Sequence, residues 1–241
     1  MTLHYHGLPL TPNASLESIG GAHFCISYAR PDQIEMAHRI GQSVMLDNGA
    51  FSFWRERVED RNPSEKARAA NGGDWSGYYE FADRWLHHPT TWAVIPDVIE
   101  GSEDANDELV AEWPLGDRGA PVWHMHESLD RLCRLDANWP KVCIGSSAGY
   151  SELGTECWHR RMEEAFNAVW INGSQSPYLH LLRGMALVNG PYPFASLDST
   201  NVAQNHKRPP ENALQMVTRI DAKQCPSVWE PRVRERLELV A

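Results

Sequence analysis

No stretch of the 241 residues comes near the roughly 18 consecutive apolar residues of a membrane span. The opening MTLHYHGLPLTP lacks the basic-then-apolar order of a secretory signal. A cytoplasmic protein without a membrane partner is expected. Cysteine is sparse: Cys25, Cys133, Cys143, Cys157 and Cys225 are odd in number, scattered, and contain no Cys-x-x-Cys pair. That pattern argues against a disulfide framework and against a Cys-rich zinc site. Cys25 and Cys143 fall inside apolar runs, where a thiol behaves as a small core residue. Positive charge is also short, with 22 Lys and Arg against 32 Asp and Glu, a formal net charge of −10. The broad basic footprint of proteins that grip phosphates is therefore missing. Arg55 with Arg57, Arg160 with Arg161, and the HKRPP stretch from His206 to Pro210 are the local exceptions. No internal repeat or low-complexity tract interrupts the chain.

What is present is 42% hydrophobic residues, enough for a core, in short apolar runs that alternate with segments of helical spacing. This order marks an α/β fold with parallel strands. Strands are expected at His23 to Tyr28, Ser43 to Asp47, Thr91 to Asp97, Pro121 to His126, Lys141 to Ser146, Tyr178 to Gly184 and Pro193 to Asp198, with an eighth irregular or hidden. Tyr78, Phe81, Ala82 and Trp85 fall at i, i+3, i+4 and i+7. Trp158, Met162, Ala165, Phe166, Val169 and Trp170 extend the same stripe in a longer helix. Pro31 and Pro210 are placed to open helices at their first turn. A single TIM-type (β/α)8 barrel over residues 1–241 accounts for this series, since such barrels take about 250 residues. The apolar Trp229, Leu237 and Val240 would pack on the barrel or on a partner.

Three apolar runs each end on an aspartate: SVMLD on Asp47, TWAVIPD on Asp97 and PFASLD on Asp198. Asp and Asn commonly start turns, so each has an ordinary explanation. In a parallel barrel, however, strand C-termini share one face, where residues read as chemistry. Gly145, Ser146 and Gly184 would lie on the same rim, where small residues let a flat ligand approach the backbone.

In this order the strand ends resemble the tRNA-guanine transglycosylase superfamily. LDNGAF is similar to its D-S-G-G-F segment, IPDV to the position of its base-recognising aspartate, and IGSSAG to its Gly-rich G-G-L-A-V-G segment. LLRGM resembles its L-M-G-V-G strand, and SLDST stands where the family has F-D-C with the nucleophilic aspartate. The likeness runs from about Ala22 to about Asn205. It departs in two places. Only Cys225 follows Asp198, so the Cys-rich zinc subdomain of the tRNA enzymes is missing and neither zinc nor a cofactor is expected. WHMHE also replaces the family's Gln pair. A compact member of this kind looks most like the phage and bacterial DpdA group, DNA-guanine transglycosylases that insert 7-deazaguanine derivatives such as 7-cyano-7-deazaguanine into DNA.

The resemblance implies roles. Asp198 would be the nucleophile that holds the deoxyribose covalently, the two-step logic of retaining glycosidases. Asp47 would protonate the departing guanine and deprotonate the incoming base, for which a second carboxylate nearby would raise its pKa. The Asn-Gly that follows Asp47 is also a plain turn signal. Asp97 would accept hydrogen bonds from a guanine-like face, or else cap the following segment. Phe51 would stack on the base or plug the core, and Gly145 with Ser146 would present backbone groups. His124 and His126 alternate on one strand and would form a polar pocket wall, the competing readings being a metal pair or a satisfied core histidine. Arg183, next to Gly184, would steady a phosphate or the base. QNHKR, with Asn205, His206, Lys207 and Arg208, is the best placed segment for DNA backbone contact. The expected partners are DNA and a 7-deazaguanine base, with either a partner protein or a weak, salt-sensitive complex to reconcile the acidic charge, and a monomer favoured. A barrel-type N-glycoside hydrolase, an RNA-directed base-exchange enzyme and a catalytically dead binding barrel are the competing functions.

Overall fold

The computed structural model describes residues 1–60, 62–171 and 178–231. Nine strands form one sheet: β1 (Leu3–Gly7), β2 (His23–Ser27), β3 (Ser43–Asp47), β4 (Thr91–Val94), β5 (Gly119–Ala120), β6 (Val122–His124), β7 (Val142–Gly145), β8 (Leu179–Leu181) and β9 (Ser196–Ser199). Their order is β5-β4-β3-β2-β1-β9-β8-β7-β6, and every neighbouring pair is parallel. The two edge strands, β5 and β6, are separated in sequence by Pro121 alone. The sheet therefore returns on itself as a nearly closed, barrel-like surface.

Pro121 explains why the count is nine rather than eight. It has no N–H to give a ladder, so it interrupts the run at the point where the chain changes partner. The Ala120 carbonyl accepts from Ile95 N at 2.9 Å on one side, and the Pro121 carbonyl accepts from Cys143 N at 2.8 Å on the other. All seven expected runs contain strands, most of them shorter than their apolar stretches. The hidden one is β1, LHYHG, whose His4 and His6 disguise a buried strand.

Successive side chains in a strand face opposite sides. Tyr5, Cys25, Met45, Trp92, Val94, Val122 and Cys143 meet in a small cluster inside the sheet. The alternate residues, such as Phe24, Leu46, Ala93, Ile144 and Leu197, join a larger cluster with the surrounding helices. In the helix Glu156–Ile171 the residues Trp158, Met162, Ala165, Phe166 and Val169 are fully buried, and in Ser76–Leu86 the buried residues are Tyr78, Ala82 and Leu86. Both faces of the parallel sheet are thus covered.

Neither proline opens a helix at its first turn. The helix Ile34–Ile40 starts after Gln33, and the Pro31 carbonyl forms the entry turn by accepting from Ile34 N at 3.1 Å. The helix Ala213–Asp221 starts at Asn212, which forms a capping box with Gln215 through two 3.0 Å bonds, so the cap rather than Pro210 sets the boundary. Trp229 is buried against Phe166 and Tyr192, and its indole donates to Asn167 Oδ1 at 2.9 Å. It packs on the barrel, whereas Leu237 and Val240 lie outside the described residues. No helix among the described residues is long and apolar enough to cross a membrane.

Candidate active site

The last residues of β1, β2 and β7 are Gly7, Ser27 and Gly145, all small. They leave room above the interior cluster, and the strand ends enclose a cavity of about 300 Å³ lined by Asp47, Asp97, His124 and Asp198 among others. Gly145 has little freedom to change. A Cβ there would stand 2.9 Å from His124 Nδ1.

Asp198 sits in β9 and is 7% exposed. Its Oδ1 accepts from the Arg183 backbone N–H at 2.7 Å and faces His180 Nε2 at 3.2 Å, so two donors converge on one oxygen and fix the carboxylate. His180 is fully buried, and its Nδ1 is 2.7 Å from Ser196 Oγ. Arg183 reaches Asp198 because its φ is +56°, a left-handed conformation that costs a non-glycine residue on the order of 1 kcal/mol. The same turn lays its guanidinium 3.8 Å from the centre of the Phe51 ring.

Asp47 ends β3, and the chain turns at once. Asn48 Oδ1 accepts from Ala50 N at 2.8 Å, Gly49 adopts φ +82°, and the helix Ala50–Glu59 begins. Asn48 also works across the barrel, because its Nδ2 donates to the Ile95 carbonyl and to Asp97 Oδ1, both at 2.8 Å. Asp47 is pushed up to about 6, chiefly by burial. The hydrogen bond from Ser27 opposes this, and the charges of Asp198 and then Asp97 add to it. A carboxyl group so placed exchanges its proton close to neutral pH.

His124 Nε2 lies 2.9 Å from Asp97 Oδ2, near enough for an ion pair but out of line for a hydrogen bond. Both ring nitrogens are buried and make no hydrogen bond within the protein, which is uncommon for buried polar atoms. The backbone beneath is braced. Glu127 Oε2 accepts from His124 N at 2.8 Å and from Arg131 Nη1 at 2.6 Å, while Oε1 accepts from Asn106 Nδ2 at 2.9 Å. Asn106 Oδ1 in turn accepts from Val98 N at 2.8 Å, so one buried carboxylate ties the end of β6 to the segment after Asp97.

Phe51 is 36% exposed, so it is no core plug, and it stands at the mouth with Arg55, Arg183, Thr200 and Gln204. Ser146 lines the cavity, its Oγ accepting from Trp158 Nε1 at 3.0 Å. Other expected residues lie elsewhere. His126 is past the end of β6, in a turn, with Nδ1 2.8 Å from Ser147 Oγ; its ring stacks beside that of His124, centroids 5.7 Å apart, but does not line the cavity. Gly184 packs on the Leu181 side chain behind the rim. His206 is buried, with Nδ1 3.0 Å from the Val202 carbonyl and Nε2 2.9 Å from that of Thr11. Asn205 bonds back to Asn201, Lys207 donates to Thr11 Oγ1 at 3.0 Å, and Arg208 is exposed away from the cavity lining. Of the basic segment only its first residue, Gln204, borders the cavity.

Among the described residues, no group of three or more His, Cys, Asp or Glu converges as a metal site. No protein-family model matches the chain, and no curated protein or solved structure matches it.

Proposed function

We propose that this protein is a DNA-guanine transglycosylase on a TIM-type (β/α)8 barrel, in which Gly119 to His124 serve as one strand interrupted at Pro121. It acts in the cytoplasm on guanine in DNA and replaces it with a 7-deazaguanine derivative. The observation that carries this reading is the meeting of Asp47, Asp97 and Asp198 on one cavity, with Asp47 raised to about 6. Base exchange needs a fixed carboxylate nucleophile and a carboxyl group that both gives and takes a proton.

Asp198 attacks C1′ of the deoxyribose. The C1′–N9 bond breaks, a C1′–carboxylate bond forms, and guanine leaves with the Asp47 proton. The incoming base then gives its N9 proton to Asp47 and attacks C1′, which returns Asp198 as carboxylate. Every step is a substitution or a proton transfer, so the carboxylates of the chain suffice. Asp97, oriented by Asn48, accepts from the N–H edge of the base, and Phe51 under Arg183 offers it a ring face. A cavity of about 300 Å³ stands at the small end of ligand sites, so the target nucleotide enters flipped out of its strand. Arg55 and Arg183 meet its phosphates at the mouth, with a partner protein supplying further contacts.

The test is base exchange. DNA labelled in guanine is incubated with 7-cyano-7-deazaguanine and the protein, release is followed, and the digested nucleosides are weighed by mass spectrometry. Release that requires the deazaguanine and disappears in Asp198→Ala, with a deazaguanine nucleoside in the product, is expected. Release without incorporation assigns a hydrolase instead. No release from DNA, with activity on an RNA control, moves the substrate to RNA.

A further inference from the structure

A second cavity, of about 360 Å³, abuts the first and shares Ala50, Asp97 and Ile99 with it. Two helices face each other across it. Ala50–Glu59 contributes Ala50, Phe53, Trp54 and Arg57, and Glu103–Glu112 contributes Ala105, Glu108, Leu109 and Glu112. Each set falls at i, i+3, i+4 and i+7, one face of a helix. One wall is therefore aromatic, completed by Trp75, and the other acidic.

The two walls differ in chemistry. Trp54 and Trp75 line the cavity with ring surface, while their Nε1 atoms are buried away from it. Glu108 and Glu112 repeat a negative charge one turn apart, which weakens a helix and is unfavourable to the fold alone. Together the walls suit a flat heterocycle that stacks on the rings and whose amines donate to the carboxylates.

Charge then selects among such molecules. Asp97, Glu100, Glu108 and Glu112 outnumber Arg57, which is itself 3.8 Å from Glu100, so a phosphate is repelled here. At the first cavity the mouth carries Arg55 and Arg183 instead.

We propose that the second cavity binds a free, phosphate-less, amine-bearing nitrogen heterocycle and passes it to the first cavity at Asp97. Resting on the exchange reading above, this heterocycle is the incoming base. While the sugar is bonded to Asp198 the DNA strand covers the first mouth, and a separate entrance lets the base arrive without the strand leaving.

The experiment uses the full chain with ¹⁵N-labelled tryptophan. Ten tryptophans give ten indole N–H signals, those of Trp54 and Trp75 being identified by Trp54→Phe and Trp75→Phe. The probes are 7-aminomethyl-7-deazaguanine, 7-cyano-7-deazaguanine and deoxyguanosine monophosphate. The two free bases are expected to shift both signals and the monophosphate to leave them in place. Glu108→Gln with Glu112→Gln, both exposed, should weaken the aminomethyl base roughly tenfold, the loss of a charge-assisted hydrogen bond. Signals unmoved by either base, or moved equally by the monophosphate, would overturn the proposal. Should exchange fail while the indoles respond, the transglycosylase reading falls and this site stands. Asp198-dependent exchange with silent indoles removes this site alone.

Discussion

Replacing Asp47 by Asn should stabilise the folded protein at neutral pH and leave it nearly unchanged in acid. The carboxyl is raised from 3.8 to about 6, with burial first among the causes and Asp198 and Asp97 adding to it. A group whose folded pKa lies above its unfolded value favours folding while protonated, below about pH 4, and loses that contribution as pH rises through about 6. At pH 7 the ionised Asp47 would thus cost up to about 3 kcal/mol, one pKa unit being about 1.4 kcal/mol. Because Asp47 keeps part of its surface open to the cavity, solvent screens the charge, and ~1–2 kcal/mol is the expected net effect. Asparagine has nearly the same shape and still accepts from Ser27. For a chain of this size ~1–2 kcal/mol corresponds to a rise in Tm of about 2–8 °C. Urea unfolding of both proteins at pH 4, 6 and 8 measures it directly. The gap between Asp47→Asn and the parent should be well under 1 kcal/mol at pH 4 and widen through pH 6. A gap that stays flat with pH, or a variant less stable at pH 8, would refute the assignment of a raised pKa.

Three further outcomes follow from the contacts. His180→Asn removes the ring between Ser196 and Asp198, so unfolding free energy should fall by ~1–3 kcal/mol. In the exchange assay kcat should drop on the order of 100-fold with KM little changed if, as proposed, the residue positions a nucleophilic Asp198; a purely structural role would leave kcat of the folded fraction intact. Gly145→Ala places a methyl 2.9 Å from His124 Nδ1, and circular dichroism should show an intact fold while base binding by calorimetry weakens roughly tenfold. Unchanged affinity would mean that His124 does not border the bound ring. Glu127→Gln strands the fully buried Arg131 without its nearest counter-charge and should cost ~3–5 kcal/mol in urea unfolding. A loss below 1 kcal/mol would show that Asp107, 2.7 Å from Arg131 Nε, carries the pair alone.

The strand ends were legible because their signal is local. SVMLD, TWAVIPD and PFASLD each show an apolar run stopped by a carboxylate, and strand direction in a parallel sheet does the rest. Where a residue's partner is far along the chain, sequence pattern misleads. His4 and His6 make β1 look polar, yet His6 Nε2 bonds to Asp221, 215 residues away. His206 looks like part of a basic patch and is instead a strut whose Nε2 faces the Thr11 carbonyl, 195 residues away. His126 has the right spacing to neighbour His124, and the two rings do stack, but β6 stops at His124 and His126 lies outside the cavity lining. Asn48 is the reverse case. Its reading as a turn residue is correct, since it caps Ala50, and that reading hides its second contact with Asp97. Glu127, Asn106 and Arg131, which brace His124, come from a turn and two separate helices spread over 26 residues and carry no motif.

The remaining choice is between a working site and a barrel that only binds. Burying carboxylates together is unfavourable, since each loses hydration and raises the free energy of ionising its neighbours. A barrel kept only for its shape would be more stable at neutral pH with an amide at Asp47, and nothing in the strand demands an acid there. Asn48 and Asp97 could bond equally well as two amides, and the Arg183 N–H and His180 would be met by an asparagine at position 198. Asp47 therefore lowers stability at neutral pH for a property that an amide lacks, which is charge and proton exchange. The proposed double displacement uses both a carboxyl raised to about 6 and a second one held by two donors. If Asp47→Asn and Asp198→Asn each leave the fold intact or firmer and each abolish exchange, stability and activity will have been separated at the same two atoms' positions, which a passive scaffold does not allow.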